Sequence, residues 1–108
     1  MSINIPSILS QLESEIVDLA KTTGKNFAKQ ATADGKQLLS LVETDLVRWT
    51  QLLADGQISK AEFELLLKGQ KDLIAMSALT QAGLTLAKID EFKNKVFNLI
   101  LNTVISLI

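Results

Sequence analysis

After Pro6 the chain contains no proline for the rest of its 108 residues. Proline lacks an amide donor and clashes with the preceding helical turn, so its absence leaves room for very long helices. The apolar spacing uses that room. Leu12, Ile16, Ala20, Thr23, Phe27, Ala31, Leu38, Val42, Trp49 and Leu53 recur in steps of three, four and seven. That is the period of one helix face, and not the two-residue alternation of a strand. The expected fold is all-α, as one domain over residues 1–108.

Ser7 follows Pro6 and is a candidate helix cap, with Glu13 and Glu15 near the positive end of the helix dipole. The stripe keeps phase across Gly24 and Gly35, although a glycine costs a helix about 1 kcal/mol relative to alanine. The pattern therefore predicts a first helix over about 7–54, a turn at 55–59 and a second helix over about 60–108. A short turn between two helices makes an antiparallel hairpin. Each helix, at roughly 48 residues, would run about 70 Å.

The second helix is apolar over a broad arc, with Phe63, Leu66, Leu67, Leu73, Ile74, Met76, Leu79, Leu84, Ile89, Phe92, Val96 and Ile100 among its residues. One partner helix covers one side of such an arc, and something else must cover the rest. Self-association is the expected cover, with the second helix as the core of a homo-oligomer. The alternative is a compact three- or four-helix bundle, with breaks at the glycines.

The turn carries a second signal. In "ADGQISKAEF", Asp55, Gly56, Gln57, Ile58, Ser59 and Glu62 fall at the spacing of the second half of a calcium-binding loop. The stretch resembles the EF-hand family, and the resemblance implies calcium held by Asp55, Ser59, Glu62 and the Gln57 carbonyl. The first half of that loop departs from the family: its carboxylate positions are Gln51 and Leu53. Calcium takes six to eight oxygens. The same residues also build a capped turn. Gly56 suits the left-handed position that ends a helix. Ser59 and Glu62 form a capping box, and Ile58 and Phe63 a hydrophobic staple. The capped turn, with no metal or other cofactor, is the expected reading.

"TGKNF" at 23–27 and "DGKQL" at 34–38 are eleven residues apart. Such repeats resemble those of exchangeable apolipoproteins, synucleins and late-embryogenesis-abundant proteins, which implies amphipathic helices laid on lipid. Lys21, Lys25, Lys29 and Lys36 flank the stripe and suit anionic headgroups. A straight packed helix also repeats its face every eleven residues.

Residues 1–12 and 96–108 carry no charged side chain. A hairpin lays these segments side by side, as a charge-free end for protein or lipid contact. Its candidate residues are Ile5, Ile8, Leu9, Leu12, Val96, Phe97, Ile100, Leu101, Val104, Ile105 and Leu107. No run reaches the length of a membrane span. The N-terminus lacks a basic stretch before an apolar one, so no signal peptide and a cytoplasmic location are expected.

The chain has no histidine and no cysteine, which removes the commonest general base and thiolate chemistry. Carboxylate pairs such as Glu62 and Glu64 diverge on a helix. Eleven basic and twelve acidic residues give a net charge of −1, without the basic excess that phosphate backbones require. A non-enzymatic structural or interaction protein is expected, with no catalytic residue, no small-molecule substrate and no nucleic-acid partner. The alternative is a lipid- or membrane-active helical protein.

Overall fold

The computed structural model describes residues 4–107. It is all-helical, and no strand occurs among the described residues. The elements are α1 (Ile5–Ala20), α2 (Ala28–Ala54), α3 (Lys60–Lys71), α4 (Ser77–Gln81) and α5 (Leu86–Leu107), with a 3-10 turn at Lys21–Thr23. The molecule measures 44 × 24 × 19 Å. No axis accommodates the rod expected of two uninterrupted helices, and both expected helices are broken.

The first break follows α1. Asn4, not Ser7, caps that helix: its side-chain oxygen accepts from the Ser7 amide at 3.1 Å. At the far end the Thr22 and Thr23 hydroxyls donate back to the Leu19 and Ala20 carbonyls, each at 2.7 Å. These bonds satisfy helix-end acceptors that would otherwise bond the next turn. Gly24 then takes φ 108° and ψ 155°, a conformation essentially confined to glycine. The chain reverses, and α2 returns along α1, with Glu13 beside Lys36. Gly35 stays helical. A Cβ there would sit 2.5 Å from Ile16 Cγ2, so its missing side chain lets α1 and α2 approach closely.

The second expected helix is broken twice. Gly83 has φ 90°. Its amide donates to Thr80, and that of Leu84 to Leu79, the two bonds of a Schellman stop. The other break, between Lys71 and Ser77, contains neither glycine nor proline. Burial there alternates: Leu73 and Ala75 are exposed, Ile74 and Met76 buried. A helix cannot alternate with period two, so local extension is what sends both Ile74 and Met76 into the core. The Lys93 ammonium donates to the Ile74 carbonyl exposed by this break.

The helices share one core. Helix α1 packs on α2 and α5, and α3 packs on α2 and α5. The broad apolar arc of the C-terminal segment, with Ile89, Phe92, Val96, Phe97, Ile100 and Val104 buried, is thus met by α1 and α3 of the same chain. The eleven-residue echo is split between antiparallel helices. Ile16 and Ala20 lie on α1, while Ala31, Leu38, Val42, Trp49 and Leu53 lie on α2; all are buried.

Candidate interaction surface

The turn that resembles a calcium loop uses its polar groups to end one helix and begin the next. The Gly56 amide donates to Leu53 and the Gln57 amide to Leu52, with Gly56 at φ 76°. The Ser59 hydroxyl accepts from the Glu62 amide, and the Glu62 carboxylate accepts from the Ser59 amide, both at 3.1 Å. Asp55 accepts from the Gln51 side chain at 3.0 Å. Phe63 is fully buried and Ile58 packs against the core. Among the described residues no group of three or more acidic side chains converges. Replacing Ser59 by alanine removes half of the reciprocal cap and is expected to cost about 1 kcal/mol, measured by urea unfolding. Millimolar calcium is expected to leave the melting temperature of the native chain unchanged; a rise would show ligation.

The helices that carry the two charge-free segments, α1 and α5, pack on each other. The Glu15 carboxylate of α1 accepts from the Thr103 hydroxyl of α5 at 2.8 Å and from the Gln11 amide at 2.9 Å. Thr22 and Thr23 lie with Phe92 around one small cavity, so α1 and α5 run antiparallel. The pairing spends most of the apolar side chains inside. Ile8, Leu12, Val96, Phe97, Ile100 and Val104 are buried, while Ile5, Leu9, Leu101 and Ile105 are half-buried. Leu107 is exposed. Met1–Ile3 and Ile108 lie outside the described residues. The apolar side chains of these segments are therefore mainly core in this form, as expected when apolar faces can leave water.

Apart from Leu107, the large apolar side chains that remain in solvent lie elsewhere. Leu65 is 70% exposed, Leu73 78%, Leu41 60% and Leu86 74%, with Leu66 at 37%. Leu65 and Gly69 are exposed on α3, and Leu73 lies just past its end, in the turn that follows Lys71. The Gln70 side chain donates to Asp45 of α2 at 3.3 Å, which brings this edge alongside the turn of α2 that carries Leu41. Scattered surface leucines are ordinary; a run of them on one helix edge marks a contact surface. The apolar arc does not single out these exposed residues, since Leu73 reads as part of the same arc as the buried Phe63, Leu67 and Ile74, and Leu65 lies outside it.

One buried polar group also escapes the apolar pattern. Asp34 on α2 is 3% exposed. Its carboxylate accepts from the backbone amides of Ala78 at 3.0 Å and Leu79 at 2.8 Å. It caps α4, whose own preceding residue, Met76, supplies no side-chain cap. The signal was present: Asp34 sits on the core stripe, between Ala31 and Leu38.

No helix among the described residues is long and apolar enough to cross a membrane. The chain matches no protein-family model, no curated protein and no solved structure.

Proposed function

We propose that this is a non-enzymatic helical interaction protein that associates with a second copy of itself through the outer edge of α3. The observation that carries the reading is the exposure of Leu65 within α3 and of Leu73 in the turn just past its end, at 70% and 78%. Such an edge is self-complementary. Two α3 helices laid antiparallel about Gly69 bring Leu65 of each copy toward the end of the other's α3, where Leu73 follows, and the glycines let the backbones approach. A two-fold contact of this kind uses the same patch on both copies. The net charge of −1 leaves little long-range repulsion between copies. The reading calls for no catalytic group, cofactor, small-molecule substrate or nucleic acid.

Light scattering across a concentration series tests it. The native chain is expected to reach dimer mass, and the double variant Leu65→Lys with Leu73→Lys to remain monomeric while keeping its helical circular dichroism. A dimer unaffected by the two lysines would refute the edge as the contact.

A second reading has support in the charge-free segments. Residues 4–12 and 96–107 carry no ionisable side chain, and their buried faces would suit an acyl boundary if α1 and α5 separated there. Anionic liposomes distinguish the two: co-sedimentation with leakage of an entrapped dye favours lipid action, and indifference to liposomes favours self-association.

A further inference from the structure

The apolar stripe holds its phase across the turn between α1 and α2, although the compact fold makes no use of this. Ile16, Phe27 and Leu38 are eleven residues apart, and so are Ala20, Ala31 and Val42. Eleven residues complete just over three helical turns. Two helices joined by a reversing loop have no need for a common phase, because the loop resets it. A single straight helix does need one. Here the residues on both sides of the loop belong to one face, and Phe27 within the loop lies on that face and is half-buried against the core.

We infer that α1 exchanges between two copies of the chain. The turn at 21–27 straightens, α1 and α2 join into one helix of about 75 Å, and the α1 of each copy occupies the seat between α2 and α5 of the other. The geometry of the closed form fits this. Glu13 meets Lys36 and Ile16 meets Gly35, so the hairpin folds about residues 24–26. Two straightened helices crossing antiparallel at those residues restore every α1–α2 pair between copies. The Gly35 notch receives Ile16 of the partner copy, and Glu15 finds the partner's Thr103 by the same symmetry. The only contacts that differ between the forms are those of the turn. The closed turn depends on Gly24, whose φ of 108° disfavours any side chain, although a Cβ there would meet nothing within 4 Å. Exchange of an identical element is a low-cost route to a dimer when the hinge is short. This inference does not depend on the outer edge of α3.

Zero-length carbodiimide crosslinking tests it on the native chain. Normal and 15N-labelled protein are unfolded together, refolded at millimolar concentration and crosslinked, and the Glu13–Lys36 amide product is read by mass spectrometry. Exchange predicts mixed-isotope products in the dimer fraction at the statistical proportion, and none in the monomer, where every product is same-isotope. Gly24→Ala disfavours the closed turn and is expected to raise the exchanged dimer at least about tenfold. Inserting Gly-Ser-Gly after Gly24 relaxes the turn and breaks the eleven-residue phase, and is expected to abolish the mixed products. Both are repeated with Leu65→Lys and Leu73→Lys present. Mixed products that persist there uphold the exchange, and a native dimer fraction that the two lysines leave wholly unchanged refutes the α3 edge. Same-isotope products alone, in a dimer that the two lysines dissolve, overturn the exchange and leave the α3 edge standing. The absence of mixed products from both the native chain and Gly24→Ala overturns it outright.

Discussion

Replacing Asp34 by alanine is expected to destabilise the protein by about 2–4 kcal/mol, because two amides at the start of α4 lose their only side-chain acceptor inside the fold. In a chain of this size that corresponds to a fall in melting temperature on the order of 10–20 °C. The loss should be local before it is global. Hydrogen exchange at the Ala78 and Leu79 amides, which the carboxylate holds at 3.0 and 2.8 Å, is expected to accelerate more than exchange in α1. Asp34→Asn should fall between the native chain and the alanine variant. One amide oxygen can still accept, while the NH2 group faces a donor. Equal stability of all three proteins would mean that α4 is not held by this carboxylate.

Gly35→Ala and Gly69→Ala are expected to change stability in opposite directions. Both glycines lie within helices, and alanine is intrinsically better there by about 1 kcal/mol. At Gly69 nothing stands within 4 Å of the added Cβ, so the substitution should stabilise by about 0.5–1 kcal/mol. At Gly35 the Cβ would lie 2.5 Å from Cγ2 of the fully buried Ile16. Isoleucine is β-branched and stiff at χ1, so the strain passes to the α1–α2 crossing. Overpacking of this kind costs about 1–3 kcal/mol, which outweighs the propensity gain. Urea unfolding at concentrations where the chain is monomeric should show a lower midpoint for Gly35→Ala and a higher one for Gly69→Ala. A stabilising Gly35→Ala would mean that the crossing yields without strain.

These two glycines illustrate how far the sequence can be read. The helical period is local, and it places Leu12, Ile16, Ala20, Ala31, Leu38 and Val42 on buried faces, as the structure has them. The end of α2 at Gly56 and the start of α3 at Ser59 are equally legible, since each is written in residues that bond within a few positions of one another. Four further glycines read alike in sequence, yet Gly24 and Gly83 end helices while Gly35 and Gly69 continue them. At Gly24 the helical phase persists on both sides, so periodicity alone argues against the break that the two threonine hydroxyls and a positive φ produce. The break at 72–76 has no local marker. It exists because Ile74 and Met76 both reach the core and because a carboxylate more than forty residues away holds the next helix.

The candidate surface divides in the same way. The charge-free segments are visible in the sequence, but whether they face outward depends on which helices pack against them. Leu65 and Leu73 are exposed where Phe63 and Leu67 are buried, a distinction that appears only once α2 and α5 occupy the opposite side of α3. What the sequence by itself determined is an all-helical chain with a capped turn at 55–59, because helical period and capping are properties of neighbours. What only the tertiary structure decided is where the long helices break and which apolar residues remain in water. Those outcomes depend on burial between segments tens of residues apart, whose free energy exceeds the fraction of a kcal/mol by which local preferences distinguish one residue from the next.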